Sequence, residues 1–345
     1  MTTEETVVCQ KGESMVKRDV RKYMSRTQES VTTAKKRWKI LAKALVGSME
    51  SDSGDEKEDE ISVRRFTSFG LLTSFPLERN LDTDSIWQEY SVVLKDRVFS
   101  IEIRKIDKCF TANELIGFNN TGNVCVWPSE ECLAYYLLKN PRICKEKRVL
   151  ELGGGMSCLA GLFAAKYCDP SFVTLTDGNV TSVDNVRCIV LRNNMSDLVR
   201  CGVVQWARAA RALRLAALND NRNQSWMTKR EWECIIYNDL YDVILCADCL
   251  FFDETRLDLV ETIYGWLADN GVALILAPRR GTTFDKFAEA AINRGFFVRQ
   301  TECYDSDVWT RHLDLLNNRH REYSPDLHYP LLLELTKQPY QTPTG

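Results

Sequence analysis

Short apolar runs alternate with helical stripes along most of this chain. Residues 148–152 form a brief apolar run suited to a central parallel strand, and residues 158–167 follow as a helix rich in Leu, Ala and Phe. Residues 172–176 are β-branched and end at Asp177; residues 180–194 then place Val183, Val186, Ile189 and Val190 on one helical face. A further buried strand is predicted at 242–247, then a helix with Leu257, Val260, Tyr264 and Leu267 three and four apart, and another strand at 271–277. Phe284, Phe287, Ala288, Ala291 and Ile292 make a helical stripe that stops at Gly295. Residues 296–300 and 329–336 read as two final strands with no strong helix between them, which implies an antiparallel ending. A third strand must lie between 196 and 240, at 202–206 or at 211–215, with a polar insertion filling much of 207–240. Strands alternating with helices predict a Rossmann-like α/β fold: a mostly parallel, doubly wound sheet with an antiparallel C-terminal strand.

Upstream of this pattern the chain changes character twice. Residues 11–43 carry eleven Lys and Arg against Glu13, Asp19 and Glu29, whereas residues 50–60 carry seven acids against Lys57 alone. Residues 1–60 therefore read as a flexible, charge-segregated extension with one helix around 37–46. Residues 61–126 read as a β-rich region, because 90–94 and 99–103 alternate around Lys95, Asp96 and Arg97 as a hairpin with one wet face. Pro128 opens a helix that Pro141 stops near Asn140. The domain proper is expected at 127–337, with a short tail at 338–345.

Composition narrows the class without naming it. A hydrophobic content of 44%, a charged content of 27% and a net charge of −3 are those of an ordinary globular protein and give no global sign of nucleic acid binding. Thirteen cysteines scattered singly suit a reducing compartment, so a cytoplasmic or nuclear location is expected. The longest apolar runs are far too short to span a bilayer, and the first residues lack a signal-peptide core. No membrane, no nucleic acid and a monomeric state are the corresponding expectations.

Three glycines, Gly153, Gly154 and Gly155, turn the chain between the 148–152 strand and its helix. Such a turn presents bare backbone N–H groups at a helix N-terminus to a nucleotide-like ligand. A dinucleotide fingerprint would need a third glycine where Cys158 stands, and no Gly-Lys-Ser/Thr follows to make a phosphate loop. Glu151 leading into Gly-x-Gly resembles the first motif of Rossmann-like S-adenosylmethionine-dependent methyltransferases. Asp177, 24 residues after Gly153, closes the next strand on the same crevice, where a carboxylate can accept two ribose hydroxyls. An Asx turn with Gly178 is the bland alternative.

Asp248 and Phe251 end the fourth strand without the Pro-Pro that accompanies methylation of planar nitrogens, which favours an aliphatic amine as substrate. Asp248 would orient that amine, and Phe251 and Phe252 would wall its channel. Cys246 and Cys249 have Cys-x-x-Cys spacing but no second pair, and His312, His320 and His328 lack metal-ligand spacing, so no metal is expected. Trp127, judged on its own, is a packing anchor.

Glu151–Gly155, Leu175–Asn179 and Cys246–Phe251 together resemble the family-16 lysine methyltransferases. Longer strings at 62–66, 120–131, 277–281 and 328–333 are similar to a branch of that group whose substrate is calmodulin. This resemblance implies trimethylation of a calmodulin lysine with S-adenosylmethionine. It assigns Asp248 and Phe251 to catalysis. Trp127, Glu151, Gly153, Gly154, Gly155, Asp177, Asn179, Trp206 and Ala247 are assigned to cofactor binding. The family's adenine-packing Trp at the end of the third strand falls on Trp206, or is replaced by Leu215. Arg279 and Arg280, just past the fifth strand, would pair with carboxylates of the acidic substrate. Two readings of other classes stay open: a methyltransferase-like binding module without catalysis, and a nucleic-acid methyltransferase using the basic arm. A lysine methyltransferase with a different protein substrate is a third.

Overall fold

The computed structural model describes residues 66–80, 85–106, 125–218 and 240–339, all within one compact unit. The charge-segregated extension, the helix expected at 37–46 and the polar stretch 219–224 lie outside the described residues. Among the described residues no helix is long and apolar enough to cross a membrane.

A seven-stranded sheet carries the domain. Its strands are β4 (Arg148–Glu151), β5 (Phe172–Asp177), β6 (Val199–Val203), β7 (Tyr241–Ala247), β8 (Leu267–Ala277), β9 (Phe297–Thr301) and β10 (Leu331–Thr336), in the order β6-β5-β4-β7-β8-β10-β9. β4 to β8 are parallel, and β10 runs antiparallel between β8 and β9. The chain steps outward from β4 through β5 to β6, then returns to the other side of β4 as β7. A crevice must open at that reversal, beyond the carboxyl ends of β4 and β7. The fully buried runs explain why these strands form where they do: Val149, Leu150, Val173, Leu175, Val243 to Cys246 and Ala273 to Ala277 are sealed from solvent.

The helices are α1 (Pro128–Lys139), α2 (Leu159–Tyr167), α3 (Val180–Arg192), α4 (Trp206–Leu218), α5 (Arg256–Trp266), α6 (Thr283–Arg294), α7 (Ser306–Asn317) and the single turn α8 (Pro325–His328). Several expectations need correction. The third strand is Val199–Val203, so Trp206 starts a helix and Leu215 lies inside one. The supposed insertion therefore begins as a regular helix packed against α5. α5 turns Leu259, Val260, Ile263 and Trp266 inward while Leu257 is exposed, and Leu267 already belongs to β8. A full helix, α7, separates β9 from β10. Asp305 caps it, accepting from the N–H groups of Asp307 at 2.9 Å and Val308 at 3.1 Å.

An antiparallel meander of β1 (Thr73–Asn80), β2 (Ser85–Leu94) and β3 (Arg97–Ile106) forms the smaller sheet. The hairpin was legible; its third strand, β1, was not. Lys95 and Asp96 both take positive φ, 49° and 62°, which matches the two-residue turn that follows the natural twist of a hairpin. Phe99, Ile101 and Ile103 are buried. The free edge of β3 is closed by side chains: the Ser100 N–H donates to Tyr167 Oη at 2.8 Å, and the Glu102 N–H to Asn193 Oδ1 at 3.1 Å. Residues 66–72 are held against α1 by Glu131. Its buried carboxylate accepts from the N–H groups of Phe69, Leu71 and Leu72 and from Ser68 Oγ, at 2.7–3.0 Å.

Candidate active site

A cleft of about 660 Å³ opens at the β4/β7 reversal, lined by Trp127, Glu130, Gly153, Gly154, Gly155, Asp177, Gly178, Val204, Trp206, Ala247, Asp248, Cys249 and Phe251. Most residues expected to meet do meet here. Glu151 and Asn179 do not.

Glu151 is the last residue of β4, and its side chain lies on the helix side of the strand. Its Oε2 accepts from the Gly161 N–H at 2.9 Å, and it is fully buried, so desolvation holds its carboxyl well above the usual carboxylate range. It ties β4 to α2 behind the glycine turn and does not line the cleft. Asn179 caps α3, accepting from the Ser182 N–H at 3.2 Å.

The glycine turn is tight for two separate reasons. A Cβ on Gly153, whose φ is +66°, would stand 2.7 Å from Cys249 Sγ and 2.9 Å from Trp206 Cζ2. The indole therefore packs directly on the turn, which leaves bare backbone facing the cleft. The close helix–strand approach for which a dinucleotide site uses its third glycine is made instead by Gly161 in α2. A Cβ there would stand 2.3 Å from Leu175 Cδ2 and 2.5 Å from Glu151 Oε2.

Asp177 does two jobs with one carboxylate. Oδ1 accepts from the Asn179 N–H at 2.8 Å, which is an Asx turn, and Oδ2 accepts from the Gly155 N–H at 3.0 Å. Burial pushes its carboxyl up to about 6 against the pull of those two donors. It faces the cleft while bracing the glycine turn, and both oxygens keep a lone pair for a ribose hydroxyl. Replacing Asp177 with Ala is expected to weaken cofactor binding by roughly one to two powers of ten, the worth of a charged hydrogen-bond pair. Calorimetric titration would read this directly, and unchanged affinity would reduce Asp177 to a turn residue.

Glu130 is the residue that sequence reasoning missed. It sits in the first turn of α1, and its Oε1 accepts from Ser157 Oγ at 2.6 Å and from the Leu159 N–H at 2.7 Å, just beyond the glycine turn. An acid three places after a helix start reads from sequence as a local cap. Nothing in the string says that it reaches a turn some thirty residues away.

At the mouth, Asp248 leaves β7 in a left-handed conformation, φ 56°, and its two oxygens meet one guanidinium. Arg280 Nη2 donates to Oδ2 at 2.7 Å, and Nη1 lies 2.6 Å from Oδ1. Arg280 is itself held by its N–H to the Asp326 carbonyl at 2.8 Å, and it lies over the Phe251 ring. The docking role expected of Arg280 must be withdrawn, because its charge is spent on Asp248. Arg279 is exposed. The Phe251 and Phe252 rings pack together with centroids 4.2 Å apart.

A glycine turn between a strand and a helix, with an acid closing the neighbouring strand at the same crevice, fits the cofactor crevice of a class I methyltransferase. The chain belongs to the lysine methyltransferase family, whose model matches residues 111–215. It is 30% identical over 315 residues to the calmodulin-lysine N-methyltransferase of Arabidopsis thaliana, covering 88% of this chain and 96% of that one. The protein-lysine N-methyltransferase EFM3 of Chaetomium thermophilum is 28% identical over 192 residues, 54% of this chain and 52% of its own. The bovine protein-lysine N-methyltransferase EEF2KMT is 28% identical over 155 residues, 43% of each chain. This chain is a protein-lysine N-methyltransferase, with S-adenosylmethionine as its methyl donor. When bound, the donor supplies an electrophilic methyl group on a sulfonium.

The chain's own residues must then deliver a neutral lysine amine. From a free pKa of about 10.4, removing the ammonium proton at pH 7 costs roughly 4–5 kcal/mol. A lone carboxylate beside the amine would hold that proton in place. Paired with Arg280, Asp248 can still accept a hydrogen bond from the amine but attracts the ammonium less. Phe251 and Trp127 offer apolar surface that further disfavours the charged form.

Proposed function

We propose that the lysine this enzyme modifies belongs to calmodulin, and that the modification is carried to the trimethyl stage. The observation that carries the reading is the likeness to a calmodulin-lysine N-methyltransferase over nearly the full length of both chains, because substrate choice resides outside the shared cofactor motifs. The other two relatives match over about half of this chain or less. The mouth is consistent with an aliphatic amine: Asp248 is followed by Cys249, Leu250 and Phe251, with no Pro-Pro to hold a planar nitrogen. Calmodulin is acidic, and Arg279, exposed just past the end of β8, would pair with a carboxylate of that substrate. A cytoplasmic or nuclear location, where calmodulin is reached, and action as a monomer complete the proposal.

The test is peptide mapping after incubation of unmethylated calmodulin with the full chain and labelled donor. Label is expected on one calmodulin lysine. Label on some other protein of a cell extract, with calmodulin untouched, would retain the lysine methyltransferase and discard the substrate.

A further inference from the structure

Among the described residues, the cleft is lined by the carboxylates of Glu130, Asp177 and Asp248 and by no Lys, Arg or His, and one of those carboxylates faces no cation at all. Asp248 is neutralised by Arg280, and each oxygen of Asp177 takes a backbone N–H. Glu130 is different. Its Oε1 is engaged by Ser157 and Leu159, but Oε2 has only a long 3.4 Å contact from the Trp127 N–H, and no cation among the described residues pairs with it. A fully buried carboxylate with an under-used oxygen at a cleft wall is costly unless a cation arrives.

We propose that Glu130 selects the positively charged methyl donor over its neutral product, and couples donor binding to release of a proton. The inference rests on S-adenosylmethionine as the ligand of this cleft. At neutral pH the donor carries one positive charge more than S-adenosylhomocysteine, because the sulfonium becomes a thioether when the methyl leaves. An ionised Glu130 attracts the first more than the second, so the product is released from a site that still favours a fresh donor.

The sign of the pH dependence follows from what surrounds the carboxyl. Burial raises Glu130 to about 7, opposed by its hydrogen bonds from Ser157, Leu159 and Trp127 and reinforced by Asp177. The other titratable groups that sense it are Glu151 from β4, Tyr90 from β2 and Cys158 from the glycine turn; none is a cation. Without ligand Glu130 keeps its proton below about pH 7. A cationic ligand favours the carboxylate, so the proton leaves on binding and affinity rises with pH.

Donor and product binding would be measured by calorimetry at pH 6 and pH 8 on the full chain. The expected result for the donor is a dissociation constant about tenfold lower at pH 8, with close to one proton released at pH 6 as judged from buffers of different ionisation heat. S-adenosylhomocysteine should show a shallower slope. In Glu130→Gln the donor's extra slope should vanish, and its proton release should fall to that seen with S-adenosylhomocysteine, the part that Asp177 contributes to both ligands. Ser157→Ala, which removes a donor to the carboxylate, should move the midpoint to higher pH while the protein remains folded, and so serves if the first variant does not fold. Equal slopes for donor and product, or an unmoved midpoint in Ser157→Ala, would overturn the role of Glu130. Absence of binding at either pH would overturn the cofactor assignment as well, which makes the two failures distinguishable.

Discussion

Arg280→Ala is expected to destabilise the protein by about 3 kcal/mol and to cut methyl transfer more than tenfold, because it leaves Asp248 buried without its partner. One hydrogen bond and a second close charge contact join the pair, and Asp248 retains only 6% of its side-chain exposure, so its carboxylate depends on the guanidinium for compensation. The same substitution removes the Nε–H that Arg280 donates to the Leu327 carbonyl at 3.3 Å, while its backbone N–H bond to the Asp326 carbonyl stays. Arg280→Lys keeps the charge but loses the fork, and should fall between the two. Adding Asp248→Asn to Arg280→Ala should recover stability without recovering activity, since a neutral amide is cheaper to bury than a lone carboxylate. Denaturant unfolding checks the first statement, and initial rates check the second. An Arg280→Ala protein as stable as the parent would mean that the pair contributes nothing.

The second large effect is expected at the glycine turn. Gly153→Ala must hold a Cβ at φ +66° and also place it 2.7 Å from Cys249 Sγ and 2.9 Å from the Trp206 ring. The conformational part costs roughly 1–2 kcal/mol. The steric part shifts the indole or the turn, both of which line the cleft, so donor affinity should drop at least tenfold. Gly295→Ala is the control. It has φ +108° and no atom within 4 Å of the added Cβ, and it lies at the end of α6, so stability should fall while donor affinity stays put. If both variants lost affinity equally, the effect would come from general strain and not from the cleft.

Legibility along the chain followed burial. Strands sealed on both faces, β4, β5, β7 and most of β8, are short runs dominated by apolar and β-branched residues and were read nearly to the residue. β6 was misplaced because it is the edge strand of the large sheet: Val199 alone is buried, and Arg200 and Gly202 break the pattern. α7 was not read from the sequence. Its inward positions, Val308 and His312, include a histidine that is not counted as apolar; here it is buried and meets Tyr323 Oη at 2.6 Å. The glycine turn, Asp177 and the post-β7 acid were found because motif spacing fixes them at strand ends. Motif spacing does not say which way a strand-end side chain points, and so Glu151 was assigned to the wrong side of β4. Partners distant in sequence left no local trace: Arg280 for Asp248, Gly161 for Leu175, Glu130 for Ser157. Each is a consequence of the topology that brings α1, α2 and the β8 loop to the same crevice.

The most direct test of the account is the intact mass of unmethylated calmodulin after reaction with the full chain and S-adenosylmethionine, beside the Asp177→Ala variant. The predicted result is a gain of roughly three methyl groups confined to one lysine with the parent chain, and a much slower gain with the variant, as expected when one amine is held before a donor that Asp177 helps to bind. A parent chain that binds the donor but transfers no methyl group to calmodulin or to any other protein lysine would contradict it.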